Sequence, residues 1–189
     1  SDQKKSEVPY KNGKKDGLFT AWYESGQKKS EVPYKNWEKE WGVKDGLETV
    51  WYESGNKKSE VHWKNGSQDG LEKGWYESGR KKYVYHYKNG KKDGLESHWR
   101  ESGRKSIESH WKNRSQVQTF WYKSGEKQSE THFKNGRQEG LETVWYESGK
   151  KKYIKHYKNG KENGLRKEWD ENGTLTYEGN FVDGVEEIR

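Results

Sequence analysis

The feature that most constrains the fold of this chain is a tryptophan that returns at a nearly fixed interval. Its members are Trp22, Trp51, Trp75, Trp99, Trp121, Trp145 and Trp169. Four of the six intervals between successive members are 24 residues. A fixed period of this length is typical of a stack of similar supersecondary units, each too small to bury a core by itself.

Composition argues against a thick globular core. Only 26% of the residues are hydrophobic, whereas 37% are charged and the formal net charge is +7. Such values approach those of disordered chains, but the chain also carries 11 Trp, 13 Tyr and 4 Phe, most of them in repeating columns. Aromatic side chains bury a large area each, so a few columns of them can order a thin structure. We therefore expect a single-layer repeat protein.

The period divides residues 1–189 into a single repeat array. Residues 1–17 form half a unit, and full units begin near Leu18, Leu47, Leu71, Leu95, Val117, Leu141 and Leu165. Two irregularities interrupt the spacing: an insertion of five residues around Trp37–Val43, and the loss of an Asp-Gly pair before Val117. The last unit departs most from the others, and we expect it to cap the array because terminal repeats are commonly atypical.

Each unit is predicted to form one β-hairpin. In the unit from Leu141, residues 141–147 are rich in β-branched and aromatic side chains and indicate a first strand. Ser148-Gly149 indicates the turn, and Lys151–Lys158 indicates the return strand. The predicted fold is all-β: an elongated, single-layer antiparallel β-hairpin repeat with units of about 24 residues.

Alternation of side chains along the strands predicts the register. Leu141 and Trp145 share a face of the first strand, and pairing Trp145 with Tyr153 would place the return-strand aromatics on that face too. A three-residue loop with glycine in the left-handed conformation fits this pairing. In that register the leucines share a face with return-strand rings such as Trp63 and Tyr87. A glutamate column is expected near the histidines: Glu48, Glu72, Glu96 and Glu142.

The aromatic columns are the candidate binding face. Its residues are Trp51, Trp75, Trp99, Trp121, Trp145, Tyr52, Tyr76, Tyr122 and Tyr146. Rings at a fixed spacing can stack on sugars, bases or apolar side chains of a partner. The same rings can also pack on one another, because a single-layer sheet has no other core. On the tyrosine side, Lys58, Lys82 and Lys152 are predicted to lie beside the rings and to form cation–π contacts.

The remaining polar columns give no sign of catalysis, and we expect neither an enzyme nor a cofactor. Nearly every polar residue belongs to a column, whereas an active site brings different residue types together once. The histidines of the column (His62, His86, His110, His132 and His156) recur one unit apart, too far for a shared metal. Cysteine is absent, which excludes cysteine-based sites. Acidic residues interleave with the lysines, which argues against nucleic acid as a partner and leaves an anionic surface open.

The segment Tyr177–Gly184 resembles a MORN repeat, whose pattern is Tyr-x-Gly-x-aromatic-x-Asp-Gly. The full unit is similar to the variant MORN repeat of bacterial proteins labelled YwqK-family antitoxins. Departures are the insertion near Trp41, the missing Asp-Gly pair near Gln116, and Arg114 where glycine is usual. The resemblance covers nearly the whole chain, and it implies an elongated antiparallel sheet, a MORN-like ribbon, used for protein or membrane contacts.

Three functions remain open from the sequence. The first is a structural or protein-interaction scaffold, the second a module that binds cell-wall glycans through the Trp and Tyr columns, and the third an antitoxin-like partner of a toxin protein. No apolar run approaches the ~20 residues of a membrane span. The chain starts at Ser1 and lacks cysteine, which favours a processed, secreted or cell-surface protein or a fragment, with a cytoplasmic location still open.

Self-association is a further expectation. The chain opens on a return strand without its hairpin partner and closes where the next first strand would begin, so both ends are predicted to present edge strands. Because the units are near copies, one molecule would continue the ladder of the next, and such head-to-tail contacts lead to filaments.

Overall fold

A computed structural model describes residues 5–11, 14–35 and 42–188, with the side chains of Lys14 and Lys15 left out of the description. Part of the predicted half unit and most of the predicted insertion, Trp37–Trp41, therefore lie outside the described residues. Within them the chain forms strands and turns and no helix. The predicted all-β fold of antiparallel hairpin repeats is confirmed.

Contacts between Cα atoms divide the chain into two units, residues 1–93 with 101–103, and residues 94–100 with 104–189. The strands of the first unit are β1 Ser6–Glu7, β2 Tyr10–Lys11, β3 Lys14–Lys15, β4 Gly17–Trp22, β5 Lys28–Lys35, β6 Val43–Lys44, β7 Gly46–Trp51, β8 Lys57–Lys64, β9 Ser67–Trp75, β10 Lys81–Lys88 and β11 Lys91–Lys92. Long strands pair antiparallel with their neighbours along the chain, as β7 with β8 and β8 with β9.

The second unit repeats the same hairpin. Its strands are β12 Gly94–Trp99, β13 Lys105–Lys112, β14 Ser115–Trp121, β15 Lys127–Lys134, β16 Arg137–Trp145, β17 Lys151–Lys158, β18 Lys161–Glu162, β19 Gly164–Trp169, β20 Leu175–Val182 and β21 Val185–Glu186. Pairing is again antiparallel between successive strands. The division of residues 1–189 into one array with a capping unit stays a prediction.

The hairpin turn has the predicted three-residue loop. The Tyr146 amide donates to the Lys150 carbonyl oxygen at 2.8 Å, and the Gly149 amide donates to the Tyr146 carbonyl oxygen at 2.9 Å. Gly149 has φ of 84°, in the left-handed region where glycine has no steric penalty. This is the loop of a type I turn followed by a left-handed residue, which the sequence signalled through Ser148-Gly149.

The predicted pairing of Trp145 with Tyr153 is wrong. Trp145 lies opposite Lys151, and Val144 lies opposite Tyr153, so Lys152 is an extra residue in the return strand. A bulge of one residue turns every later side chain of its strand to the other face, because side chains alternate with a period of two. Leu141 consequently shares its face with His156.

Two faces follow from this register. The leucine face of β16 and β17 carries Leu141, Thr143, Ile154 and His156, and the corresponding residues of the other hairpins. The glutamate face carries Glu142, Val144, Tyr153, Lys155 and Tyr157 and their counterparts. The predictions that leucines and return-strand aromatics share a face, and that glutamates lie near the histidine column, are wrong for the same reason. Trp63, for example, pairs with Gly46 and Gln68 on the glutamate face.

The connections between hairpins contain a second, larger bulge. Between β8 and β9, Trp63 pairs with Gln68 but Val61 pairs with Glu72, so Asp69-Gly70 adds two residues to one strand. Between β13 and β14 these two residues are missing, and the ladder runs without interruption from Lys112↔Ser115 to Ile107↔Phe120. A two-residue difference leaves every side chain on its own face.

Burial is shallow throughout the described residues. Val32 and Phe181 are the apolar side chains among them that count as buried. The other buried positions are mostly small hydroxyl residues in the middle of the strands, namely Thr49, Ser97, Ser109, Thr119, Thr131 and Thr143. Both faces therefore expose part of their larger side chains, as expected for a single layer.

Candidate functional site

The tyrosine column links successive hairpins. The hydroxyl group of each of four tyrosines donates to the backbone carbonyl oxygen of the tryptophan in the next hairpin at 2.8–2.9 Å; the pairs are Tyr23–Trp51, Tyr52–Trp75, Tyr122–Trp145 and Tyr146–Trp169. Where arginine replaces the tyrosine, Arg100 Nη2 donates to the Trp121 carbonyl oxygen at 2.7 Å. The polar end of this column is thus used within the fold.

The predicted lysine contacts of this column are present. The ammonium groups of Lys58, Lys82 and Lys152 lie 5.4–5.5 Å from the ring centres of Tyr52, Tyr76 and Tyr146. Lys152 is the bulge residue, which places it beside the tyrosine of its own hairpin. Such exposed cation–π contacts contribute about 0.5–1 kcal/mol each.

The tryptophan column lies on the leucine face and is half-buried. Lysines from the preceding hairpin cover three of its rings at 5.3–5.5 Å: Lys28 over Trp51, Lys105 over Trp121, and Lys127 over Trp145. Trp75 and Trp99 are half-buried as well. Because adjacent residues of an extended chain point to opposite sides, the tryptophans and tyrosines of the candidate set lie on opposite faces of the sheet within each unit.

Within each unit the first-strand leucines form a partly exposed apolar stripe on the leucine face, which sequence reasoning did not anticipate. Leu18, Leu47 and Leu141 are 43%, 41% and 36% exposed. Histidines lie beside the stripe, and His132 Nδ1 is 2.7 Å from the Leu141 carbonyl oxygen. His156 Nδ1 is 2.8 Å from the Leu165 carbonyl oxygen. The histidine column therefore supports the backbone of the next hairpin.

Lysine–glutamate pairs cross the leucine face in four hairpins. The lysine that begins the return strand contacts the glutamate three residues later, in Lys28–Glu31, Lys57–Glu60, Lys105–Glu108 and Lys127–Glu130. In two hairpins the glutamate is replaced by Val84 or Ile154. The signal was present in the sequence as Lys-x-Ser-Glu or Lys-x-Ile-Glu against Lys-x-Tyr-Val or Lys-x-Tyr-Ile, but the predicted register did not place these residues beside the leucines.

On the glutamate face the carboxylates bond to ring donors. Trp63 Nε1 donates to Glu48 at 2.7 Å, and Trp111 Nε1 donates to Glu96 at 3.0 Å. The Tyr157 hydroxyl group donates to a Glu142 oxygen at 3.2 Å. Burial, followed by the charge of Glu142, raises the pKa of Tyr157 well above its ordinary value. These contacts engage the carboxylates of Glu48, Glu96 and Glu142 within the fold and give the face a structural role.

Chemistry-bearing residues do not converge in the part of the chain that the structure describes. No group of three or more His, Cys, Asp or Glu residues there is placed to hold a metal ion. Two open cavities of about 420 and 400 Å³ lie in the second unit, the first lined by residues such as Leu165, Asn180 and Glu186, the second by Lys134, Arg137 and Glu139. No helix long and apolar enough to cross a membrane occurs in the described segments.

Comparison with known families identifies the repeat. The family model for the MORN repeat variant matches residues 15–36, 44–65, 68–89, 117–135, 138–159 and 162–183. The hairpin of β12 and β13 lies outside these matches but has the same bulged register. No curated protein matches the chain. Because the matched segments cover more than half of the sequence, the chain belongs to the MORN repeat variant family.

Proposed function

We propose that this chain is a non-enzymatic protein-interaction scaffold and that its partner binds the leucine face. MORN repeats support a repeat-based interaction or scaffold role. The finer assignment of the face rests on exposure and on how the polar groups of each face are satisfied.

The observation that carries the proposal is the exposed leucine stripe. Leu18, Leu47 and Leu141 keep 36–43% of their surface exposed although the chain has few apolar residues. Apolar stripes rimmed by polar residues are typical of protein–protein interaction surfaces. The half-buried rings of Trp51 and Trp145 extend the stripe towards the hairpin turns.

The opposite face supports binding less well. Its rings donate to carboxylates, as Trp63 does to Glu48, and its tyrosine column is bonded to backbone carbonyl groups. A partner there would have to break contacts that stabilise the fold. We therefore assign Tyr52, Tyr122 and Tyr146 a structural role, and we keep the tryptophan column with the leucines as the contact surface.

Glycan binding is the weaker alternative for the tryptophan column. A sugar would stack on the open side of a ring, and lysines occupy a position 5.3–5.5 Å from the centres of Trp51, Trp121 and Trp145. The same ammonium groups pair with Glu31, Glu108 and Glu130, so a sugar would have to displace lysines that are held in place by two contacts each. Head-to-tail self-association stays a prediction separate from this face.

Site-specific photocrosslinking tests the proposal. A photoreactive amino acid at Leu47 or Leu141 is expected to capture a protein in the source cells. The matched positions Val50 and Val144 lie on the same strands and the opposite face, and they should capture none. Capture from Val50 and Val144 but not from the leucine positions would contradict the assignment of the face. Binding of a wall polysaccharide with no protein captured would favour the glycan alternative.

A further inference from the structure

We propose that the hairpins containing Val84 and Ile154 are two docking sites for acidic peptide segments of a partner. Each peptide segment presents an apolar side chain that is flanked by carboxylates. This inference rests on the proposed function and specifies the chemistry of the partner. It comes from a comparison that the chain provides within itself, between hairpins with and without a glutamate at this position.

In the hairpins that keep the glutamate, the charge of the return-strand lysine is neutralised by that glutamate on the leucine face. Lys127 Nζ lies 2.9 Å from Glu130 and covers Trp145 at 5.3 Å. Lys57 and Glu60 form the same pair at 2.5 Å. Each lysine therefore has its counter-ion on the same face, and the hairpin offers a partner little charge.

The hairpin of β16 and β17 differs in this respect. Ile154 occupies the position of Glu130, and Lys151, which corresponds to Lys127, is exposed and makes no ion pair within the described residues. Ile154 is half-exposed and lies opposite Thr143 in one neighbouring strand and Lys167 in the other. Lys167 contacts the exposed Glu178 at 3.1 Å. An apolar β-branched side chain thus lies beside one lysine without a counter-ion in the described part of the chain, Lys151, and one that is paired with a carboxylate, Lys167.

The first unit contains an equivalent arrangement. Val84 replaces the glutamate, and it lies opposite Lys73 of β9, where five hairpins carry threonine or serine and the last carries Lys167. Lys81 begins the return strand, is exposed, and has no ion pair among the residues described. Leu71 lies two residues before Lys73 on the same strand and face. Lys73 also lies opposite Glu60 of β8, so Val84 has one lysine beside it without a counter-ion in the described segments, Lys81, and one that faces a carboxylate.

The chemistry of the two sites selects an acidic, partly apolar segment. An apolar side chain of the partner can contact Ile154 and Leu141, while a neighbouring carboxylate of the partner reaches Lys151. A lysine without a local counter-ion contributes attraction that a paired lysine does not, since the paired carboxylate would repel the same ligand. An anionic membrane is a poorer fit, because the neighbouring hairpins carry paired charges and interrupt the basic surface.

The natural variation between hairpins supplies the variants. Ile154→Glu recreates the Lys127–Glu130 arrangement at Lys151, and Val84→Glu does the same at Lys81, so both should fold. The reciprocal change Glu130→Ile frees Lys127 and creates a third site of the same kind. These exchanges occur at equivalent strand positions that already accept both residue types.

The test is fluorescence anisotropy with a labelled peptide of alternating glutamate and leucine residues. Two sites are expected in the parent chain, one in Ile154→Glu, and at least about tenfold weaker binding in the double variant with Val84→Glu, whereas Glu130→Ile should add a third site. Matched peptides of alternating lysine and leucine, or glutamate and serine, should bind at least about tenfold more weakly. The affinity should fall as salt is raised.

Unchanged peptide binding in the double variant would overturn the proposal, as would equal binding of the lysine–leucine peptide. Binding to vesicles that contain phosphatidylserine, lost in the double variant while the peptide does not bind, would overturn it in favour of a membrane. The photocrosslinks at Leu47 and Leu141 distinguish a failure of this inference from a failure of the proposed function. If the crosslinks persist while the acidic peptide does not bind, the scaffold function stands and the proposed chemistry of the partner is wrong.

Discussion

Two connections between hairpins differ in length but keep the side chains of the following strand on the same faces. From β8 to β9 the chain passes through Asn65-Gly66 and then a bulge at Asp69-Gly70. From β13 to β14 it passes through Asn113-Arg114 and has no bulge. The side chains that follow nevertheless lie on the same faces in both, with Glu72 and Gln118 on the glutamate face.

The comparison shows which residues the repeat can lose without exchanging its two faces. Asp69-Gly70 can be absent because removing two residues preserves alternation, whereas removing one would exchange the faces. The pair does have a local role, since an Asp69 oxygen accepts a hydrogen bond from the Asn89 amide at 3.0 Å. In the shorter connection that acceptor is missing, and the Asn135 amide instead donates to the Arg114 carbonyl oxygen at 2.9 Å. The shorter connection is therefore viable, with fewer side-chain contacts.

The largest effect is expected from deleting Gly70 alone. The remainder of β9 would present its glutamate-face residues to the leucine face, and we expect a loss of about 4 kcal/mol or more in the free energy of unfolding. Deleting Asp69 and Gly70 together should cost only about 1 kcal/mol, because it reproduces the connection before Val117. Urea denaturation measures both variants. Equal costs for the single and the double deletion would show that alternation is not the constraint.

A smaller effect is expected from Asp69→Ala. It removes the acceptor of the Asn89 amide, so stability should fall by about 0.5–1 kcal/mol. Faster hydrogen exchange of the Asn89 amide would locate the loss. Gln116→Ala, in the connection without the bulge, serves as the control and should leave the exchange of the Asn135 amide unchanged. A similar change at both amides would contradict the difference drawn between the connections.

Arg114→Gly should be mildly stabilising. Arg114 has φ of 65° and follows Asn113 at 49°, so both turn residues are in the left-handed region. Glycine takes this conformation without the steric penalty of a Cβ atom, although it also loses more backbone entropy on folding. The balance predicts a gain of about 0.5 kcal/mol, visible as a higher midpoint of thermal unfolding. Gly66→Arg, at the equivalent place in the longer connection, should lower that midpoint.

The smallest expected effect is a difference in pH response between the backbone amides of Asn65 and Asn135. The hydrogen bond from Lys35, together with the amide of Asn65, lowers the pKa of Asp45 below its ordinary value of 3.8. A carboxyl group whose pKa is lowered by folding stabilises fully above its unfolded pKa, and that contribution is lost as the pH falls through the folded pKa. The NMR shift of the Asn65 amide should therefore titrate below pH 3.8, whereas that of Asn135, bonded to a carbonyl group, should not. Parallel titration of the two amides would contradict this.

The sequence was sufficient to predict the hairpins, because tryptophan spacing, turn glycines and β-branched runs are local signals. The three-residue loop around Gly149 followed from them. The bulge at Lys152 did not, since a lysine in a bulge has no distinctive composition. One undetected residue reversed the faces of every return strand in the prediction.

The same bulge limited the prediction of the site. The tryptophan and tyrosine columns were recognisable, and so were the lysines beside Tyr52 and Tyr146. The exposure of Leu47, and the position of Ile154 beside Leu141, depended on the register and were missed. Which rings are available to a partner also depends on neighbours from the preceding hairpin, as Lys127 shows at Trp145.

The bond from each tyrosine hydroxyl group to a tryptophan carbonyl oxygen has a consequence for how such a gene can change. The acceptor belongs to the main chain, so any hairpin with the right backbone can receive the bond, whatever side chains it carries. Arg100 shows that even the donor can be exchanged if it reaches the same oxygen. Duplicated or recombined copies can therefore join at once without matched mutations, and repeat number can change while residues outside this bond, such as Val84 and Ile154, diversify independently.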